Sequence, residues 1–275
     1  MNTNKLSFVF WGTPDVASET LEILKEAGFL PELIVTSPDA KAGRGLRLQA
    51  SAVAGFAEKN NIPCLKPEKL DAEFSNKLKA ISYQLFVVVA CGQIIPEKIL
   101  NMPKLGSINI HYSLLPKYRG ASPVESAILN GDTETGVTIQ KMTYEMDAGD
   151  IIAQEKVDIL PGETAPELRK RLIKIGGELL VKTLPDFTEG KTKPVPQNGS
   201  LASVCKKIKK EDGLIDLEGD SQKNYNKFRA YALWPRTFFF KNGKRIIITD
   251  ATLENGKFII KKIIPEGGKE IDYRN

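Results

Sequence analysis

The sequence predicts an α/β architecture, an open and mostly parallel sheet with helices on both faces, followed by a smaller β-rich domain. Three observations carry this. Over the first two-thirds of the chain, apolar runs of strand length alternate with stretches of helical periodicity. Such alternation builds βαβ units, whose crossovers lay helices on both sides of a parallel sheet. The composition then shifts at residues 185–200, which hold Gly, Pro, Thr, Lys and Asn and no long apolar run, the profile of a linker. Beyond it, short strand-like runs are punctuated by two Asn-Gly pairs, a strong hairpin signal. The expected divisions are residues 1–184, a linker at 185–202, and a β-rich domain at 203–275.

Each element has its own warrant. Residues 6–11 form an apolar run suited to a buried parallel strand. Gly12-Thr13-Pro14-Asp15 breaks it, and Val16, Leu21, Leu24 and Ala27 then recur at helical spacing until Gly28. A second strand is expected at 33–36, a loop at 37–49, a helix at 50–60, a short strand at 62–64 and a helix at 73–81. The β-branched run 85–90 is a strand, 107–111 another, and 123–129 a helix. Residues 137–142 and 151–157 read as strands joined by a turn, and 164–184 as a long amphipathic helix. This order gives a Rossmann-like sheet, in which ligands bind beyond the carboxyl ends of the strands. In the second domain, runs at 237–240, 245–249 and 257–264 are separated by turns at Asn242-Gly243 and Asn255-Gly256, which suggests a small OB-like barrel.

Composition narrows the class. The chain has 275 residues, comfortable for two domains. It is 41% hydrophobic and 27% charged, as in a soluble globular protein. Cys64, Cys91 and Cys205 are far apart and form no CxxC or Cys/His cluster, so no metal site is expected. The sparse cysteines also fit a reducing compartment. No segment approaches the roughly 18 apolar residues of a membrane span, and the amino-terminal run is too short for a signal peptide. The expected location is the cytoplasm. Net charge is +5, unevenly spread: residues 1–205 carry 23 basic and 24 acidic groups, residues 206–275 carry 16 and 10. A basic excess in the C-terminal segment suits a polyanionic partner, although it also solubilises a surface.

The first βα turn holds Gly12 alone where a dinucleotide fold wants three glycines. Pro14 also removes an amide donor there, and no P-loop is present, so a nicotinamide or flavin dinucleotide reading is weakened. The informative stretch is Ser107-Ile108-Asn109-Ile110-His111-Tyr112-Ser113-Leu114-Leu115-Pro116-Lys117-Tyr118-Arg119-Gly120. In a strand, Asn109 and His111 share a face while Ile108 and Ile110 take the other. A carboxamide and an imidazole therefore stand together at the sheet's carboxyl edge. His111 is the one histidine of the chain; a lone histidine is more often structural, but this placement favours chemistry. Asp147 lies between two predicted strands and could orient the imidazole or a water, or simply form an Asx turn. Asp150 competes for that role, and spacing does not choose between them.

The Asn-x-His…Ser-Leu-Leu-Pro…Arg-Gly segment, followed by Met146-Asp147-Ala148-Gly149-Asp150-Ile151, resembles the formyltransferases that use 10-formyltetrahydrofolate. Phe10-Trp11-Gly12-Thr13-Pro14, Ser37-Pro38-Asp39 with Ala42-Gly43-Arg44-Gly45, the segment 87–96, and Leu233-Trp234-Pro235 are similar to the branch that acts on methionyl-tRNA. The resemblance covers about residues 6 to 240. It implies a catalytic trio of Asn109, His111 and Asp147, and folate contacts from Ser113, Leu114, Leu115, Pro116, Gln93 and Ile94. It further implies that Lys41, Arg44 and Arg47, in a Gly-containing loop, engage initiator methionyl-tRNA; cations there would contact phosphates or stack on unpaired bases. Lys206, Lys207, Lys209 and Lys210 could track tRNA backbone or be a solvated face. The chemistry agrees with the trio. An amine attacks the formyl carbon directly, and Asn109 and protonated His111 can donate to the oxygen of the tetrahedral intermediate. Asp147, directly or through water, is the natural proton acceptor. The co-substrate is 10-formyltetrahydrofolate, with no metal, and a monomer is expected to be the working form. The chain departs from the family at Tyr112, usually small or Pro, and at Cys91, usually aromatic; family members also usually continue past residue 275. Two alternatives are a folate-dependent formyltransferase acting on an amino sugar nucleotide or glycinamide ribonucleotide, and a non-catalytic RNA-binding protein on the same scaffold.

Overall fold

The computed structural model describes residues 6–42, 45 and 47–274. β1 (Phe8–Gly12) is buried at every position, as an unbroken apolar strand covered on both faces should be. α1 (Asp15–Glu26) follows, with Asp15 in its first turn and Lys25 in its last, each favourable to the helix dipole. It buries Ala17, Leu21 and Leu24, which share one helical face. After β2 (Leu33–Val35) the expected loop holds a hairpin of β3 (Ala40–Ala42) and β4 (Arg47–Gln49), paired antiparallel. The strands are three residues long and β4 is exposed throughout, so no apolar alternation marks them in the sequence. α2 (Ala52–Lys59) starts at Ser51, whose Oγ accepts from Ala54 N. β5 (Cys64–Leu65), α3 (Ala72–Lys79), β6 (Leu85–Val89), α4 (Glu97–Leu100) and β7 (Ser107–His111) continue the alternation. Next come β8 (Arg119–Gly120), α5 (Pro123–Leu129), β9 (Glu134–Lys141), β10 (Ile151–Asp158) and α6 (Ala165–Thr188). α6 runs through Pro185, where the sequence predicted its end. Leu184 and Phe187 are both buried, so the apolar stripe carries the helix past the missing donor.

The main sheet has the order β10-β9-β7-β6-β1-β2-β5. β1 runs parallel to β2 and β6, β2 to β5, and β6 to β7, while β9 is antiparallel to β7. The order reverses at β1, which makes the carboxyl ends of β1, β6 and β7 the expected crevice. One face of the sheet supplies Val9, Trp11, Leu33, Val35, Phe86 and Val88 to a core shared with Phe74, Leu78, Ile99 and Leu100 of α3 and α4. α1 and α2 touch each other, and contact β6 and β2 respectively.

The chain forms two compact units. The first comprises the chain up to His111, Val137–Glu155 and Ile173–Ser200; the second comprises Tyr112–Gly136, Lys156–Leu172 and the chain from Leu201. In the second unit β11 (Val204–Cys205) pairs parallel with β8, and α7 (Ser221–Ala230) contacts α5. β12 (Phe238–Lys241), β13 (Lys244–Glu254), β14 (Lys257–Pro265) and β15 (Ile271–Asp272) form a four-stranded antiparallel sheet. Both Asn-Gly turns have positive φ at both residues, 53° and 75° at 242–243 and 50° and 74° at 255–256, the two-residue hairpin geometry their sequence predicts. Ile215, Phe239, Ile246, Ile248, Ala251 and Ile263 form the core here. α7 escaped the sequence reading because the side chains it buries include Asn224, Asn226 and Arg229, whose hydrogen bonds replace apolar periodicity. Among the described residues, no helix is long and apolar enough to cross a membrane.

Candidate active site

Strand β7 sets the first two groups. Ile108 and Ile110 are buried, so Asn109 and His111 share the opposite face. The antiparallel register with β9 puts Gln140 across from Asn109 and Thr138 across from His111. Asn109 Nδ2 donates to the Val88 carbonyl at 3.1 Å. Gln140 Nε2 donates to Asn109 Oδ1 at 3.3 Å and to Asp147 Oδ1 at 2.9 Å. The other oxygen of Asp147 lies 3.6 Å from His111 Nδ1, an ion-pair distance when the imidazole is protonated. The His111 side chain is 7% exposed and that of Asp147 16%. A carboxamide, an imidazole and a carboxylate thus converge at the carboxyl end of one strand.

The turn between β9 and β10 aims the carboxylate. Asp147 has φ 53°, a left-handed conformation that Asp tolerates better than most residues. Gly149 packs against the Lys141 carbonyl so closely that a Cβ would lie 1.8 Å from its oxygen. The turn is tied down by Gln197, whose Nε2 donates to the carbonyls of Asp147 at 2.8 Å and Gly149 at 2.7 Å. Reciprocal backbone bonds of 2.8 Å between Ile151 and Val195 bring this stretch of the expected linker alongside β10. The sequence left Asp147 and Asp150 as rivals. Asp147 faces the imidazole, while the Asp150 backbone carbonyl accepts from Lys141 N at 2.9 Å. Gln140 and Gln197 were not anticipated. A polar residue inside the buried run of β9 was the available signal for Gln140, but only the strand register shows what it faces.

The remaining expected residues are distributed as follows. Gln93 and Ile94 follow β6 in the first unit; Gln93 Nε2 donates to the Pro67 carbonyl at 3.2 Å, and Ile94 is 79% exposed. Ser113, Leu114, Leu115 and Pro116 open the second unit. There Ser113 is fully buried and its Oγ donates to the Lys117 carbonyl at 2.6 Å. Leu115 is buried, Leu114 and Pro116 are half-buried, and the Leu115–Pro116 peptide is cis. Lys41 and Arg47 are exposed on the two strands of the β3–β4 hairpin; Arg44 lies outside the described residues.

The site can hold a carbonyl oxygen and receive a proton. One amide hydrogen of Asn109 is taken by the Val88 carbonyl, and the second is able to donate to a ligand oxygen. A carboxylate beside it can take a proton. The cysteines are poor candidates for a nucleophile. Burial pushes the thiols of Cys64 and Cys91 up, away from the reactive thiolate, and buried Cys205 donates to the Tyr118 carbonyl. Among the described residues, no group of three His, Cys, Asp or Glu side chains could hold a metal ion.

Comparison with known proteins gives a consistent picture. Residues 4–184 match the family model described as formyl transferase, and residues 207–274 that of the formyl transferase C-terminal domain. A methionyl-tRNA formyltransferase of Koribacter versatilis is 41% identical over 260 residues, covering 92% of this chain and 83% of the relative. Among solved structures, a methionyl-tRNA formyltransferase from Clostridium thermocellum superposes with TM-score 0.63 at 19% identity, covering 98% of this chain and 100% of that one. An N-formyltransferase from Helicobacter canadensis, in complex with folinic acid and dTDP-3-aminofucose, superposes with TM-score 0.72 at 20% identity over the same shares. At such identities the two structures speak to the fold alone.

Proposed function

The chain belongs to the formyl transferase family, and from that premise we propose that it transfers a formyl group from 10-formyltetrahydrofolate to the free amine of initiator methionyl-tRNA. The observation that carries the reading is the convergence of Asn109, His111 and Asp147 at the carboxyl end of β7. The 41% identical relative supports the choice of acceptor, and so does the basic excess of residues 206–275.

The chemistry follows from those groups. The amine, with a free pKa of about 8, attacks the formyl carbon as its neutral form. The carbon–oxygen double bond opens, and negative charge gathers on the formyl oxygen. The second amide hydrogen of Asn109 is directed at that oxygen, and His111 adds a second donor when protonated. Asp147 takes the proton that the attacking nitrogen sheds. Collapse of the intermediate returns the carbonyl and breaks the bond to N10 of the folate; that nitrogen takes the proton passed on from Asp147 through His111 or water and leaves as tetrahydrofolate, with no covalent bond to the protein. Gln93, Ile94 and Ser113–Pro116 hold the folate, in a catalytic domain spanning residues 1–184. Lys41, Arg44 and Arg47 engage the tRNA acceptor end, and a domain spanning 203–275 engages its backbone. In this reading no metal takes part, and the protein works as a monomer in the cytoplasm.

Formyl transfer by the purified protein, with methionyl-tRNA and a dTDP-amino sugar as competing acceptors, tests the assignment. Methionyl-tRNA should be strongly preferred; preference for the sugar nucleotide would overturn the choice of acceptor. Asn109→Ala should lower kcat about a hundredfold, the value of one oxyanion donor, with the KM for tRNA unchanged. Equal losses in both parameters would contradict the donor role.

A further inference from the structure

Gln140 makes contacts that the proposed chemistry does not use. It is 2% exposed, and its Nε2 spends both hydrogens on the reacting side chains, one on Asn109 Oδ1 and one on Asp147 Oδ1. Its own Oε1 faces Gln197 Nε2 at 3.5 Å. We infer that Gln140 is a positioning residue, which fixes the end of the Asn109 carboxamide that faces the formyl oxygen; this rests on the reading of Asn109 as the donor.

An ionised carboxylate only accepts hydrogen bonds, so Asp147 requires a donor opposite it. That fixes the Gln140 amide with nitrogen toward Asp147 and oxygen toward Gln197. Gln140, so fixed, presents a hydrogen to Asn109 and requires oxygen there. Asn109 then keeps its nitrogen toward Val88, with the second hydrogen directed outward. Reversing the Asn109 amide would set its oxygen against the Val88 carbonyl and its nitrogen against Gln140 nitrogen, losing two hydrogen bonds at once. Gln197 acts on the turn that carries the carboxylate: its Nε2 gives its two hydrogens to the Asp147 and Gly149 carbonyls, so its 3.5 Å approach to Gln140 Oε1 is a long contact. The polarity of the Asp147 carboxylate is thus handed through Gln140 to the reacting carboxamide. Val88 alone still favours the same orientation of Asn109, so losing Gln140 should cost less than losing Asn109.

The test is a double-mutant cycle on the full chain, with formylation of methionyl-tRNA as the readout. Gln140→Leu keeps the bulk and removes the amide. It should lower kcat about tenfold, with both KM values within about twofold, as the loss of one well-placed hydrogen bond predicts. Added to Asn109→Ala, it should cost less than about threefold more, because no amide remains to orient. Gln140→Glu, which keeps the shape and replaces the donor with a charge facing Asp147, should cost more than the Leu variant, and it serves where the Leu variant does not fold. An unchanged kcat in a folded Gln140→Leu protein, or losses that simply multiply in the double variant, would overturn the inference. A wild-type protein inactive on methionyl-tRNA, or a fully active Asn109→Ala variant, would instead sink the functional reading on which it stands.

Discussion

Tyr118 makes stability depend on pH. Its hydroxyl donates to Asp132 Oδ2 at 2.8 Å and accepts from Asn130 Nδ2 at 3.0 Å. Burial first, and then the bond to Asp132, push it up to about 12. Tyr231 is also pushed up to about 12, by burial and then by the charges of Asp212 and Glu125. Tyrosine in an unfolded chain titrates near about 10. A group whose folded value is raised gives its full stability below the unfolded value and loses it as pH climbs through the folded one. Resistance to urea should therefore fall between about pH 10 and pH 12, and Tyr118→Phe should flatten that fall; a slope identical to wild type would count against the assignment. The residues of the candidate site differ in how far the sequence disclosed them. Asn109 and His111 were legible because a two-residue period puts them on one face. Asp147 was separated from Asp150 only by its carboxylate's contacts with His111 and Gln140, a tertiary property that spacing does not encode. Gln140 lies 31 residues from Asn109, and strand register alone joins them.

At the scale of elements, strands and helices with apolar periodicity were readable. β6, β7 and α5 sit within a residue of their expected limits. Elements held by polar contacts were not, as the exposed β3–β4 hairpin and the Asn-bearing face of α7 show. Capping belongs to this scale as well. The Ser51 hydroxyl accepts from Ala54 N at 3.0 Å and shares a bond of 2.8 Å with Thr36 Oγ1 beyond the end of β2. It both satisfies the first turn of α2 and ties it to the sheet. Ser51→Ala should destabilise the protein by about 1 kcal/mol, the usual worth of a serine cap. Chemical denaturation would read this as a lower midpoint with an unchanged m-value; no shift in midpoint would mean that the cap contributes nothing.

Across the whole molecule, charge and connectivity matter more than any one contact. The C-terminal excess of positive charge and the exposed Lys41 and Arg47 predict that tRNA affinity falls steeply with salt. Replacing Arg47 with Ala should weaken binding and lessen the slope of log affinity against log salt by about one. A parallel line would place Arg47 off the tRNA path. A linear reading of the sequence cuts a chain at points, here near residues 184 and 203. The compact units gather segments from several places, because β8 and α5, from the middle of the sequence, pair and pack with β11 and α7, which lie roughly 90 residues further on. Contacts of that range have no signature in local composition.

The ladder between β8 and β11 has a practical corollary. It joins stretches on either side of the exposed turn at Gly190 and Lys191, and the packing of α5 on α7 spans the same point. A backbone severed at that turn would leave each fragment owning half of a shared fold. Two pieces divided there should each need the other to complete the β8–β11 ladder and the packing of α5 on α7.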